Sequence, residues 1–171
     1  MVQTTNIIKG GGFLIEDVDI NRVITPEDFT DEQKMIAQTT SEYVTNEVLP
    51  VVENLEHHEF DHSVRLLKTA GELGLLAADV PEEYEGLGLD KISSALIAEK
   101  MSPAGGFSIT HGAHVGIGSL PIVLFGNHEQ KTKYLPKLAS GELIAAYALT
   151  EPGSGSDALG AKTTAKLNEA G

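Results

Sequence analysis

The chain has 171 residues, of which 41% are hydrophobic and 22% are charged, a length and composition typical of one soluble globular domain with a sizeable core. Its 25 acidic residues outnumber its 12 basic ones, and the formal net charge of -13 disfavours nucleic acid and anionic membranes as partners. A phosphate-bearing small molecule is not disfavoured, because local backbone amides and a few cations hold such ligands whatever the global field.

Cysteine is absent, which excludes disulfides, thiolate nucleophiles and cysteine-based zinc sites. Residues 1–12 lack the basic start and apolar run of a secretion signal, and no apolar segment is expected to reach membrane-spanning length. We therefore expect a soluble, cytoplasmic protein without a transmembrane segment.

Residues 1–29 show no helical periodicity and end in a TPED turn signal, which indicates an N-terminal extension. The first helix is predicted to begin at a capping box in residues 30–33 and to end at Pro50. A second helix is predicted over residues 63–73, with Gly74 as its left-handed C-terminal cap.

Residues 75–89 are predicted to be a structured loop, after which Asp90 is suited to cap a third helix. The fourth segment, residues 108–125, is apolar on most faces, so we expect a helix that is buried on nearly all sides and kinked at Pro121. A fifth helix is predicted to begin at a second cap signal in residues 127–130.

The predicted fold is mainly α, with an N-terminal helical domain of about five helices over residues 30–142. A nearly unbroken apolar run over residues 143–149 then predicts a buried strand. One strand, even with a second fragment over residues 162–167, cannot form a stable sheet, since about three strands or a covering helix are needed. Residues 143–171 are therefore expected either to lie along the helical domain as an arm or to begin an incomplete β domain.

The tip of the predicted strand is the first candidate site. Its sequence, TEPGSGSD at residues 150–157, combines hydroxyls, carboxylates and glycines that can bring bare amides close to a ligand. It matches neither a P-loop nor a dinucleotide-binding glycine pattern, so spacing alone favours a polar turn. Glu151 and Asp157 could act as an acid and base pair, but a turn carboxylate that caps its own backbone is the default interpretation.

His111 and His114 are the second candidate site, because their spacing places both on one helical face, as metal ligands require. No carboxylate lies within that segment to complete a ligand shell. We therefore interpret both as hydrogen-bonded core or pocket histidines and predict no metal site.

Residues 148–160, ALTEPGSGSDALG, resemble the first signature of the acyl-CoA dehydrogenase family position for position. Supporting stretches lie upstream: VPEEYEGLG at 80–88, FGN at 125–127 and QKTKYLPKLASGE at 130–142. Within the family, ITHGAH at residues 109–114 and LPKLASGE at residues 135–142 are most similar to the very-long-chain branch. The resemblance covers residues 30–171.

The resemblance implies an N-terminal helical domain, a middle β domain and a C-terminal helical bundle, with FAD and an acyl-CoA thioester bound between them. On this basis residues 143–171 are the first strand and turn of the middle domain. The chain is then expected to be the N-terminal fragment of a longer protein.

The resemblance also implies which residues bind the cofactor. Tyr147, Leu149 and Thr150 correspond to contacts of the flavin ring, and Gly155 and Ser156 correspond to contacts of the FAD pyrophosphate. Ser156 further resembles a residue that touches the CoA ligand.

In this family the fourth helix borders the acyl-chain slot, where Gly112, Ala113, Gly116 and Gly118 would leave room for a long acyl substrate. Close helix packing through small residues is an equal alternative. We assign no catalytic residue, because the family's glutamate bases lie well downstream of the matched motif and Glu151 belongs to the motif itself.

The implied activity is oxidation of a fatty acyl-CoA to the trans-2-enoyl-CoA, by α-proton abstraction and β-hydride transfer to flavin N5, in fatty acid β-oxidation. The implied partners are an electron-transferring flavoprotein and further copies of the full-length chain. The 171-residue chain by itself is expected to be inactive and not to retain FAD. Two alternatives are a stand-alone helical binding or interaction module, decided by a stop codon after residue 171, and an acyl-CoA oxidase, decided by oxygen reactivity.

Overall fold

The computed structural model describes residues 14, 15, 17 and 23–168. Within that part, seven α-helical segments group into five helical units, which confirms the mainly α prediction. The segments are α1 (Asp31–Tyr43), α2 (Val52–Glu56), α3 (Phe60–Glu72), α4 (Lys91–Met101), α5 (Gly106–Ala113), α6 (Leu120–Phe125) and α7 (His128–Ala139). The first unit joins α1 to α2 and the fourth joins α5 to α6, and each contains a π-helical turn, Val44–Val48 and His114–Gly118 respectively.

The predicted helix caps are present. The Thr30 hydroxyl accepts the N–H of Gln33 at 3.1 Å, and the Gln33 side chain accepts the N–H of Thr30 at 3.0 Å. Asn127 and Gln130 form the same reciprocal pair at 2.8 and 2.9 Å. The Asp90 carboxylate accepts a backbone N–H in the first turn of α4 at 2.8 Å. These bonds satisfy amides that a helix start leaves without a partner.

The predicted end of the first helix at Pro50 is wrong. After the π-helical turn, Leu49–Val51 forms a 3-10 turn and α2 follows directly. A proline in the first turn of a new helical segment is tolerated, because no intrahelical bond needs its missing amide hydrogen. The predicted left-handed cap of α3 is confirmed, since Gly74 has a φ of +76°.

Two apolar clusters hold the helices together. The larger one joins α1, α3, α4 and α5 through Tyr43, Val48, Leu66, Leu67, Ile97, Met101 and Phe107. The smaller one joins α7 to the loop over residues 75–89 through Ala77, Val80, Tyr84, Leu135, Leu138 and Ala139. The Tyr43 hydroxyl donates to the Leu66 carbonyl at 2.8 Å, so the one polar atom of that core side chain has a partner.

The expectation that the fourth helical unit is buried on nearly all sides is wrong. In Gly106–Phe125 only 22% of the 18-residue apolar window is buried, and Ile109, Leu124 and Phe125 are 75%, 65% and 84% exposed. Regular α-helical bonding is interrupted at the π-helical turn, and Pro121 lies in the first turn of α6, which follows that turn in the sequence. Apolar composition predicted burial here, but one side of the unit has no cover within the described residues.

The same unit also corrects the expectation about apolar length. Its 20 residues and mean hydropathy of 1.3 make it the one helix in the described part of the chain that is long and apolar enough to cross a membrane. Only its length and composition suggest a membrane span, and the core helix of a soluble protein passes the same test. Two histidines inside the unit are buried and bonded to the helical domain.

The strand predicted over residues 143–149 is not formed. Between residues 23 and 168 the one β-bridge pairs Glu151 with Ser154, and residues 162–167 are not a strand either. A strand requires a hydrogen-bonded neighbour, and no described segment supplies one. Residues 143–150 instead leave the end of α7 as an arm that is bonded to the helical domain at its start. That residues 143–171 begin a middle β domain stays a prediction.

Candidate functional site

The arm, residues 143–150, is held against the helical domain at its start. The Leu143 N–H donates to a carbonyl in the last turn of α7 at 2.9 Å, and the Ala145 N–H donates to His114 Nδ1 at 3.0 Å. Gly118 lies at the same point, where an added Cβ would come within 2.6 Å of the Ala145 Cβ. The π-helical turn of the fourth unit therefore fixes the path along which the arm leaves α7.

His114 is 0% exposed, and both of its ring nitrogens are bonded. Because the N–H of Ala145 can only donate, His114 Nδ1 must be the acceptor, and Nε2 therefore carries the ring proton. Nε2 donates to the Leu138 carbonyl at 3.0 Å. Burial holds the pKa of His114 below its usual value. The ring is thus a neutral bridge with a defined tautomer between α7 and the arm.

His111 lies one turn earlier and is 3% exposed. Its Nε2 donates to the Leu75 carbonyl at 3.1 Å. Burial is the main cause that lowers the pKa of His111, and the nearby His114 adds to it. The structure confirms the interpretation of both histidines as hydrogen-bonded core residues. No group of three or more potential metal ligands occurs among the described residues.

A tight turn follows the arm. Glu151 and Ser154 exchange both backbone N–H to carbonyl bonds, each at 3.0 Å. The buried Ser154 hydroxyl donates to the Asp157 carbonyl at 2.7 Å. Ser154 therefore serves the turn itself, while the residues around it remain at the surface.

The Glu151 carboxylate organises the backbone beyond the turn. Its two oxygens accept the N–H groups of Lys162 at 2.8 Å and Thr163 at 3.0 Å. These bonds hold the pKa of Glu151 below its usual value, and the bond from Lys162 has the largest effect. A carboxylate stabilised as the anion and already bonded to two amides is a poor proton acceptor. The structure thus supports the backbone-capping interpretation over the acid and base pair.

The five residues assigned to the cofactor lie on the accessible surface of the arm and turn. Tyr147 and Leu149 are 53% and 43% exposed, and Thr150, Gly155 and Ser156 are also exposed. The hydroxyls of Thr150 and Ser156 make no hydrogen bond within the described residues. A Cβ added at Gly155 would meet nothing within 4 Å. The arm and turn thus carry an exposed aromatic ring, an exposed aliphatic side chain, two hydroxyls with no hydrogen bond to the described residues, and open backbone at Gly155.

The residues assigned to the acyl slot behave differently from one another. A Cβ at Gly112 or Gly116 would meet nothing within 4 Å, so these glycines adjoin open space. Ala113 is half-buried. Gly118, by contrast, is small because Ala145 packs against it. Room for a ligand and close packing are both found in this helical unit, at different glycines.

A cavity of about 200 Å³ lies between α4 and α5. Gly112 is part of its wall, whereas Ala113, Gly116 and Gly118 are not, so the structure does not bring the four assigned residues to one cavity. Its lining is mainly apolar and includes Ile97, Met101, His111 and Val115.

Sequence reasoning missed the part that His114 plays. It identified a buried histidine but not its acceptor bond to a backbone N–H that lies 31 positions further along the chain. No local pattern contains such a partner, because the pairing depends on how the arm folds back over the fourth helical unit.

Comparisons with known proteins agree with this geometry. A family model described as the N-terminal domain of acyl-CoA dehydrogenase matches residues 30–142. The chain is 73% identical over 169 residues to a probable acyl-CoA dehydrogenase of Bacillus subtilis (strain 168), covering 99% of this chain and 28% of that relative. The chain thus spans little more than a quarter of that relative's length.

Many solved structures are similar to the chain, including these two. One is an acyl-CoA dehydrogenase from Bacillus anthracis complexed with FAD, with 74% identity, a TM-score of 0.91, and coverage of 96% of this chain and 28% of that one. The other is described as the electron transferring flavoprotein of Acidaminococcus fermentans, with 37% identity, a TM-score of 0.76, and coverage of 85% and 38%. None of these names the very-long-chain branch, which stays a prediction.

The helical fold of residues 30–142, the signature at the turn and these similarities have one common explanation. The chain belongs to the acyl-CoA dehydrogenase family and contains its N-terminal domain.

Proposed function

We propose that the chain supplies the N-terminal helical domain and one flavin-facing segment of an FAD-dependent acyl-CoA dehydrogenase. The reaction is oxidation of a fatty acyl-CoA thioester to the trans-2-enoyl-CoA. The observation that carries the proposal is the arm and turn, where Tyr147, Leu149, Thr150 and Ser156 are exposed on a backbone that buried groups hold in place. The cytoplasmic location and the very-long-chain subgroup are part of the same proposal.

The residues present fit a flavin. An isoalloxazine ring has a flat apolar body and a polar pyrimidine edge, and the exposed Tyr147 and Leu149 lie in sequence beside the Thr150 hydroxyl. A pyrophosphate requires bare amides and hydroxyl donors. Gly155 and Ser156 supply both, and the open space at Gly155 leaves its backbone approachable.

When bound, FAD supplies the hydride acceptor for the β-hydrogen of the substrate. The Thr150 hydroxyl is assigned to donate to the pyrimidine edge, where it stabilises the negative charge that collects there during hydride transfer. Gly155 and Ser156 are assigned to hold the pyrophosphate, and Ser156 also to touch the CoA. Glu151 orients the backbone that carries these donors through its bonds to Lys162 and Thr163.

We assign the α-proton to a carboxylate base outside this chain's motif. The two amide partners of Glu151, which hold its pKa below the usual value, support assigning that role to another carboxylate. The acceptor of electrons is proposed to be an electron-transferring flavoprotein, and the full-length protein is proposed to be a homo-oligomer.

Gly112, Ala113 and Gly116 are proposed to border the slot of a long acyl chain. The support is the open space beside Gly112 and Gly116. Side chains at these positions would fill the volume that the chain of the thioester needs.

The test is anaerobic titration of the purified full-length protein with FAD and then with acyl-CoA of increasing chain length. Uptake of FAD and bleaching of its absorbance by acyl-CoA are expected. Slow oxygen consumption is expected of a dehydrogenase, whereas rapid consumption would favour an oxidase. Absence of both flavin uptake and bleaching would refute the proposal. The 171-residue polypeptide alone should retain no FAD and reduce no dye with acyl-CoA, and turnover by it would refute its inactivity.

A further inference from the structure

The connection between the π-helical turn and the arm suggests a role for His114 beyond packing. The arm has two backbone bonds near its start, from Leu143 to α7 and from Ala145 to His114 Nδ1. The one made by the histidine is the nearer to the exposed residues. Two positions separate Ala145 from Tyr147, which is at most about 7 Å of extended chain.

His114 is suited to this bond because its own position is fixed from three sides. Its Nε2 donates to Leu138 at 3.0 Å, and its carbonyl accepts both the N–H and the hydroxyl of Ser119, at 3.0 and 2.7 Å. The side chain is 0% exposed. An acceptor held so firmly determines where the Ala145 N–H lies, and so where the backbone of the arm lies.

A second observation places the arm at the same point independently. Gly118 is the π-helical residue against which Ala145 packs, and an added Cβ there would be 2.6 Å from the Ala145 Cβ and 3.0 Å from its carbonyl carbon. The arm is therefore in close contact at Ala145 both by hydrogen bond and by shape. Beyond that contact, Tyr147, Leu149 and Thr150 are exposed.

We propose that His114 is a positioning residue, which sets the placement of the flavin-facing segment through the acceptor bond of its Nδ1 to Ala145. This inference rests on the proposed function, since it assigns the arm to the flavin. The histidine touches neither cofactor nor substrate in this proposal. It acts through Ala145. Nδ1 is the ring atom that positions the arm, whereas Nε2 makes the bond to Leu138.

Two substitutions separate the two nitrogens. His114→Asn retains an acceptor oxygen near the place of Nδ1 and loses the donor, while His114→Gln retains a donor near the place of Nε2 and loses the acceptor. Both leave a buried polar side chain, so both should lower stability to a similar extent. Leu138 O keeps a bond to the Gly141 N–H at 3.3 Å in either variant. His111→Gln is the control, because it makes the same chemical change one helical turn earlier, at a histidine that is bonded to Leu75 and not to the arm.

The experiment measures two quantities in the full-length protein: FAD affinity by fluorescence titration, and hydrogen exchange of the peptide covering residues 143–150. His114→Gln is expected to weaken FAD binding and speed exchange of that peptide, each about tenfold, as loss of one hydrogen bond allows. It should also shift the flavin absorbance maximum. His114→Asn and His111→Gln are expected to stay within about twofold of the wild type.

Three outcomes decide the matter. The expected contrast between His114→Gln and His114→Asn supports the positioning role. Equal losses in both variants, or wild-type FAD binding in His114→Gln, would overturn it in favour of packing alone. If the wild-type protein takes up no FAD, the proposed function fails and the flavin part of the inference with it, and the exchange contrast alone then decides whether His114 anchors the arm.

Discussion

Substitution of Gly118 by alanine should destabilise the protein, although alanine is the better helix former. The added Cβ would lie 2.6 Å from the Ala145 Cβ and 3.0 Å from both the Ala113 carbonyl oxygen and the Ala145 carbonyl carbon. Real Cβ atoms do not approach other atoms so closely, and a methyl group has no flexible end that can turn away. The arm or the π-helical turn must shift.

The magnitude follows from two opposed terms. Overpacking by one methyl group in a close contact costs about 1–3 kcal/mol, whereas replacing glycine by alanine within a helix contributes about 0.5–1 kcal/mol of stability. The difference between the two terms is about 0–2.5 kcal/mol, and the 2.6 Å contact between two methyl carbons places Gly118→Ala in the upper half, at a net loss of about 1–2 kcal/mol. Gly116 is the matched control, because a Cβ there meets nothing within 4 Å. Gly116→Ala should therefore keep only the gain of about 0.5–1 kcal/mol.

The assay is urea unfolding monitored by far-ultraviolet circular dichroism. The unfolding free energies of the two alanine variants and the wild type are compared, provided that their dependence on urea concentration is the same. Ala145→Gly in the Gly118→Ala background removes the opposing methyl group and should recover most of the loss, which a double-mutant cycle quantifies. Shifts of the same sign and size at Gly116 and Gly118 would contradict the reasoning. So would a cycle with no coupling between Gly118 and Ala145.

Three further outcomes are expected. Burial lowers the pKa values of His111 and His114, so the unfolded chain binds more protons than the folded one below about pH 6.5. The unfolding free energy should therefore fall below that pH, by up to about 1.4 kcal/mol per pH unit for each histidine, and a flat profile between pH 7 and 5 would contradict this. Glu151→Gln should speed amide exchange at residues 162–163, and in the wild type the same loosening should appear only as pH falls through the lowered pKa of Glu151, so wild-type protection in the variant would refute the role of the carboxylate. Gly116→Leu in the full-length enzyme should lower kcat/KM for long acyl chains far more than for short ones, with Gly116→Ala as control, and equal loss for both chain lengths would refute the slot.

Local chemistry made the helix starts predictable. The reciprocal bonds of Thr30 with Gln33 and of Asn127 with Gln130 need only residues three apart, so their sequence pattern contains the whole interaction. Gly74 was predictable for the same reason, since a left-handed cap is a property of one residue and its preceding turn.

Properties that depend on distant neighbours were not predictable in the same way. The apolar run at residues 143–149 has strand composition, yet a strand exists only where another segment pairs with it, and none of the described segments does. The apolar face of Gly106–Phe125 likewise predicted burial, but composition does not state what covers a helix. At Pro50 the local rule itself was incomplete, because a helix that changes from π to 3-10 bonding can pass through a proline.

The candidate site shows the same division in one segment. Its exposed residues, such as Thr150 and Ser156, were identified because their signature is contiguous. Their placement depends on contacts at other positions, namely His114 and Gly118 on Ala145 and the Glu151 carboxylate on residues 162–163. The hydrogen bonds among these contacts end on backbone N–H groups of the arm and of residues 162–163 beyond the turn, not on exposed side chains. The helical domain, at Ala145, and Glu151, beyond the turn, can therefore hold the backbone of the segment in place whatever exposed side chains the segment presents. Ligand preference can then change at the exposed positions without loss of the fold that supports them.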